Sequence, residues 1–169
     1  MRSSSSWKIA DLLADSLQQH DGPDIVLVLP LMTGGWLEQV TMDVLRYRVA
    51  CRLKEADKHK RLRICYPHHA ALGESYISLH GKITIIDDNL LRIGSANLSN
   101  RSMGLDSECD MVIEAGNEQE REQISAFRER LLSEHLDMDR ERLQQSLAQS
   151  GSLISLIDEC QDKPRTLQL

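Results

Sequence analysis

The stretch Leu79-His80-Gly81-Lys82-Ile83-Thr84-Ile85-Ile86-Asp87-Asp88-Asn89-Leu90-Leu91-Arg92-Ile93-Gly94-Ser95-Ala96-Asn97 decides how the chain is read. Residues Tyr76 to Asp87 alternate well enough to form a strand. Asp88-Asn89 supplies turn residues, and Leu90 to Ile93 is expected to return beside the first strand as a hairpin. Six positions stand in the order H-x-K-x4-D-x6-G-S-x-N: His80, Lys82, Asp87, Gly94, Ser95 and Asn97. By residue frequencies they would coincide by chance roughly once in 10⁵ to 10⁶ chains of this size. The pattern therefore starts on a strand, ends in the loop after its partner, and calls for a chemical explanation.

Alternate side chains of a strand share a face, so His80 and Lys82 project together while Gly81 and Ile83 point the other way. Cleavage of a phosphodiester requires a nucleophile near neutral pH and cations for the charge that builds on the non-bridging oxygens. An imidazole and an ammonium supply one of each. Ser95 and Asn97 would add neutral donors to the same oxygens, and Gly94 would let the backbone approach closely. Taken singly, each piece has an ordinary explanation: a strand histidine is commonly a satisfied polar residue, and Gly-Ser is commonly a turn. The combination at this spacing is not ordinary. It occurs once, whereas the reaction also needs a second group to protonate the leaving oxygen.

Outward from this segment, the order of elements predicts an α/β fold, a mixed β-sheet flanked by helices. Trp7 to Gln19 keeps helical spacing through Ile9, Leu12, Leu13, Ser16 and Leu17, and His20-Asp21-Gly22-Pro23 closes it. Ile25 to Leu29 is a continuous β-rich run suited to a strand buried on both faces of a parallel sheet. A helix is expected from about Trp36 to Lys58, a strand over Arg61 to Tyr66, and a loop over Pro67 to Ser75. Cys109 to Glu114 reads as a strand. Glu118 to Glu134 reads as a helix with Ile124, Phe127, Leu131 and Leu132 inward. Arg140 to Gln149 and Leu153 to Cys160 read as weaker helices, with the residues from Asp162 expected to be loose. Two parts follow, a catalytic half-domain over 1–136 and a helical tail over 137–169.

With 169 residues the chain suits one domain with its own core, and an aromatic share of 4% leaves that core to aliphatic side chains. The net charge of −6 argues against a broad grip on nucleic acid, which depends on cationic displacement of counterions. Cys51, Cys65, Cys109 and Cys160 show no C-x-x-C pair, so free thiols are expected in place of zinc or disulfides. The longest apolar runs fall far short of the ~20 residues that span a bilayer, and the start lacks an apolar signal core. The default location is cytoplasmic, with peripheral contact to a membrane left open. Ser3 to Ser6 carries no functional weight.

The segment Leu79 to Glu114 resembles the C-terminal half of a bacterial phospholipase D or transphosphatidylase, of the phospholipase D superfamily. Asp21-Gly22-Pro23 before Ile25 to Pro30, Gly35-Trp36-Leu37-Glu38 and Tyr66-Pro67 are also similar to that half, so the likeness covers most of the chain to about Leu136. The resemblance implies one half of a bilobal fold. It implies His80 as one of two catalytic histidines, acting as acid and then base, and Lys82, Ser95 and Asn97 as phosphate ligands. Asp87 is implied to be a structural carboxylate behind the site. Glu108 stands where relatives place an acidic residue that bonds the catalytic histidine. The implied reaction is hydrolysis or transphosphatidylation of a phospholipid or other phosphodiester through a phosphohistidine, with no metal and no cofactor.

The departure from the family pattern is the missing first copy of the motif. The resemblance places Met1 roughly where the second half of a full-length relative begins. The partner half would then come from homodimerisation or from a separate N-terminal half. The rival expectation is a catalytically silent fragment that binds phosphate or complements such a half. His20, His59, His68, His69 and His135 are read as surface or loop residues, with His68-His69 at the pocket rim as the open alternative.

Overall fold

The computed structural model describes residues 5–31, 47–99 and 101–169, the side chains of 5–7 apart. The Gly35-Trp36-Leu37-Glu38 segment and the first part of the expected second helix lie outside the described residues.

The run Ile25 to Leu29 is a two-sided strand, as its unbroken apolar character predicts. Strand β1 (Ile25–Val28) lies parallel to β2 (Leu62–His69), with Ile25 opposite Leu62 and Val28 opposite Cys65. Ile25, Leu27, Leu62 and Ile64 face helix α1 (Ser5–Gln18) and helix α2, described over residues 47–56, in a cluster with Ala14, Leu17, Leu53 and Ala56. The alternate positions Val26, Val28 and Cys65 face the other way, into a second cluster with Leu132, Leu136, Leu143, Leu156 and Ile157. This second layer comes from α3 (Glu118–Leu136), α4 (Arg140–Ser150) and α5 (Leu153–Glu159).

Helix α1 buries Ala10, Ala14 and Leu17 and leaves Leu12 exposed, so its inner stripe is turned from the expected one. The small alanines let the helix lie close to the sheet, and the larger Leu12 goes to the outside. After the end of α1 the Arg61 guanidinium collects the carbonyls of Gln19, His20 and Gly22, which lie in the turn that leads to β1.

The tail differs from its expectation. Residues after Asp162 are not loose: Arg165–Gln168 forms strand β6, antiparallel to the second half of β2, with Tyr66 opposite Gln168 and His69 opposite Arg165. Leu167 is fully buried and Thr166 nearly so. Helix periodicity could not reveal this, because a four-residue strand is specified by the edge it pairs with. Between the tail helices and α3, the buried Glu129 carboxylate accepts from Arg140 (2.6 Å) and Gln144 (2.8 Å). Caps at Asn117, Asp139 and Ser152 start the three helices, each side-chain oxygen accepting from a first-turn N–H.

A second sheet is a meander of β3 (Lys82–Ile86), β4 (Leu90–Gly94) and β5 (Asp110–Glu114). Its register sets Lys82 opposite Gly94 opposite Asp110, and Ile83 opposite Ile93 opposite Met111. Odd-numbered positions make one face apolar, and Lys82, Arg92 and Asp110 lie on the other. The turn uses Asp87 and Asp88, both at positive φ (50° and 54°), with Asn89 N–H donating to Ile86 O at 2.9 Å. The expected turn pair Asp88-Asn89 is therefore shifted by one, and aspartate tolerates this left-handed backbone better than most side chains. Asp88 also accepts from Arg128 of α3 at 2.7 Å, which ties the hairpin to the helical layer. No helix among the described residues is long and apolar enough to cross a membrane.

Leu167→Ala is expected to lower the unfolding free energy by about 2–5 kcal/mol in urea denaturation, the usual cost of emptying a fully buried leucine site. A change near zero would show that β6 does not hold the core. Burial pushes the Cys65 thiol up to about 11, with nearby Asp158 adding and Arg63 opposing, against about 8.5 in an unfolded chain. The unfolded state therefore loses this proton first. The contribution is complete below about pH 8.5 and is lost as pH rises through the folded value. Melting temperature should fall less steeply between pH 8.5 and 11 in Cys65→Ala than in the wild type.

Candidate active site

His80 lies just before β3, two residues ahead of Lys82 and outside the regular strand that was expected to include it. The pairing of the two side chains holds even so. Lys82 Nζ donates to the His80 carbonyl at 2.8 Å and lies 3.0 Å from His80 Nε2. An ammonium has donors only, so Nε2 is the acceptor in this contact and the ring proton belongs on Nδ1. The imidazole is exposed and Lys82 is half-buried.

Ser95 opens the loop after β4. Its N–H donates to Cys109 O (3.1 Å), its hydroxyl accepts from Cys109 N (3.0 Å), and the same hydroxyl donates to Glu108 Oε2 at 2.5 Å. Glu108 is thus bonded to Ser95, and no hydrogen bond joins it to His80. Continuing both registers by two residues would set His80, Ala96 and Glu108 in one transverse row, but the ladder ends before them. Asn97 is exposed, with its carbonyl accepting from Ser99 N at 2.7 Å. Asp87, at the hairpin turn, stands at the far end of β3 from His80, about 17 Å along the strand from Lys82. The carboxylate that anchors the hairpin is its neighbour Asp88.

Two residues to which sequence reasoning gave no role complete the group. Asp110 Oδ2 accepts from Arg92 Nη2 at 2.8 Å, and Oδ1 accepts from Ala96 N at 3.3 Å. Arg92 Nη2 also donates to Ala96 O at 3.3 Å. The Arg92 guanidinium, helped by the N–H groups of Ala96 and Ser95, holds the Asp110 carboxyl below the usual carboxylate range despite some desolvation. A signal for this was present in Gly94, since a glycine within a strand marks the close approach of another group. A Cβ there would stand 1.6 Å from Asp110 Oδ1 and 2.7 Å from Asp110 Cα.

The remaining histidines are placed elsewhere. His68 and His69 pair with β6, and His69 Nδ1 accepts from Ala71 N at 3.1 Å, capping a short turn over Ala70–Leu72. His20 bonds Asp21 and meets the His59 ring edge-on at 5.5 Å. His135 is half-buried on α3, its basicity lowered by burial and by Arg165. Among the described residues, no three His, Cys, Asp or Glu side chains are grouped as metal ligands. Surface hollows lined by Arg130, Glu134 and Arg165, and by Lys54, Arg63 and Asp158, share no residue with the His80 group.

The structure thus brings His80 and Lys82 into contact and ties the loop after Gly94 to Asp110, while Glu108 bonds Ser95 and Asp87 stands at the hairpin turn. The family described as "Cardiolipin synthase, PLD-like domain" matches residues 4–131, about three quarters of the chain. The chain belongs to this phospholipase D-like family. Comparison with the curated proteins and with the solved structures finds no match. Membership places the chain in a superfamily of phosphodiesterases, whose members are generally enzymes, act on phosphodiester substrates and dimerise.

Gly94→Ala is expected to destabilise the fold by about 1–3 kcal/mol in chemical denaturation, the cost of an overpacked site. The close contact includes the Asp110 backbone, so a change of rotamer cannot relieve it. Unchanged stability would mean that β5 does not lie against Gly94 in this way.

Proposed function

We propose that this chain is a phospholipase D-type phosphodiesterase half that hydrolyses or transphosphatidylates phospholipid diesters once a second His-x-Lys half closes over His80. The observation that carries the reading is the Lys82 ammonium 3.0 Å from His80 Nε2, in a chain of the phospholipase D-like family.

In the proposed reaction, one histidine attacks phosphorus through Nε2, forming a P–N bond as the P–O bond to the leaving alcohol breaks. The opposed histidine donates its proton to that leaving oxygen. It then takes a proton from water, or from an acceptor alcohol, as that oxygen attacks phosphorus and the P–N bond breaks. Lys82 meets the non-bridging oxygens, joined by Ser95 and Asn97. Asp87 contributes through the hairpin turn, and Glu108 through Ser95. In a two-fold dimer the two histidines are His80 of each copy. The second copy would approach from the Lys82 side of the meander, since the apolar face points away from it. The acidic net charge favours a lipid or small diester over nucleic acid.

A second reading is supported by the single His-x-Lys motif: the chain binds phosphate groups without turnover, or serves a separate N-terminal half. Sedimentation, combined with assays on bis(p-nitrophenyl) phosphate and phosphatidylcholine vesicles, separates the two. The proposed enzyme should sediment as a dimer, and His80→Ala should lower its turnover by ~10²-fold or more. Equal turnover in the variant overturns the site. A strict monomer without turnover supports the second reading.

A further inference from the structure

We infer that Asp110, held by Arg92, is a positioning residue that sets the Gly94–Asn97 loop so that Asn97, joined by Ser95 once its hydroxyl turns from Glu108, can meet a phosphate group beside Lys82. The inference rests on the phosphodiester reading above and extends it to two residues outside the His-x-Lys motif.

Lys82, Gly94 and Asp110 form one transverse row of the meander, on the same face. Because the middle member has no side chain, the Asp110 carboxylate lies directly over the Gly94 backbone, where a Cβ would meet it at 1.6 Å. From there its two oxygens divide between Ala96 N (3.3 Å) and Arg92 Nη2 (2.8 Å), and Arg92 returns to Ala96 O (3.3 Å). Both backbone polar groups of Ala96, the residue between the two proposed phosphate donors, are therefore held by one ion pair. The Arg92 and Asp110 side chains are 19% and 25% exposed, so they are partly covered although Asp110 belongs to the open strand β5.

Neutral donors assist an anion only when they are already aimed at it. A loop free to rearrange would have to be ordered at the moment of binding. The guanidinium has a further consequence. A carboxylate two strands from Lys82, about 10 Å away by strand spacing, would compete with a phosphate for that ammonium if it were unpaired. Pairing with Arg92 commits it elsewhere.

The test measures binding of inorganic phosphate to the full chain by calorimetry, together with hydrogen exchange of the Ala96 amide by NMR. Asp110→Ala should weaken phosphate by about tenfold and speed Ala96 exchange. Asp110→Asn keeps an oxygen for the Ala96 N–H and should recover most of both. Arg92→Met leaves the carboxylate unpaired and should bind phosphate more weakly than Asp110→Asn. If Asp110→Ala fails to fold, the order wild type, Asp110→Asn, Arg92→Met carries the comparison. Wild-type affinity in Asp110→Ala, or in Arg92→Met, overturns the inference, as does unchanged Ala96 exchange in both. Lys82→Ala is the control for the underlying reading. If it binds phosphate as the wild type does while Ala96 exchange responds as expected, the phosphodiester site fails, and Asp110 is left as a clamp without a ligand to serve.

Discussion

The row Lys82, Gly94, Asp110 is the constraint on which the site depends. Strand pairing has a period of two, so a slip by one residue in β3 or β5 would send Lys82 or Asp110 to the apolar face and an isoleucine or methionine to the polar one. On the apolar face only Leu91 is buried, Ile83, Ile93, Met111 and Ile113 being exposed, so such a slip is opposed chiefly on the other face, by the Asp110 carboxylate over Gly94. The same pairing that specifies the sheet thus specifies which side chains surround the proposed anion site.

The site is carried on a body built around a different sheet. β1 and β2 separate two clusters of aliphatic side chains, one against α1 and α2 and one against α3, α4 and α5. The meander joins this body through the Asp88–Arg128 ion pair to α3, at the turn end of the hairpin. The end bearing His80 and Ser95 is the opposite one. The active site proposed for that end, with the anchor at the turn, would be left open to a partner surface while the register stays fixed.

The parts of this arrangement that were legible in the sequence are those set by local chemistry. The hairpin, the parallel pairing of Ile25 to Val28, and the helix over Glu118 to Leu136 follow from apolar patterning and turn residues. So does the contact between His80 and Lys82. What escaped was set by partners distant in the chain. β6 exists because β2 offers an edge, and the ends of the loop after Gly94 are pinned by Asp110, sixteen residues on. The resemblance implied that Glu108 would hold the histidine. In the structure the carboxylate takes the Ser95 hydroxyl at 2.5 Å, a donor in the loop beside it.

The openness of the site bears on its chemistry as directly as the count of histidines does. His80, Ser95 and Asn97 are all exposed. In water, hydrogen-bond donors and an ammonium stabilise developing charge weakly, because the dielectric screens them and solvent competes for every oxygen. The same groups gain strength when a surface excludes that water. A second half that closes over His80 would answer both needs in one step, bringing the opposed imidazole and removing the solvent. For the same reason, the residues that hold the donors in place before closure matter more here than in a site already enclosed by its own chain.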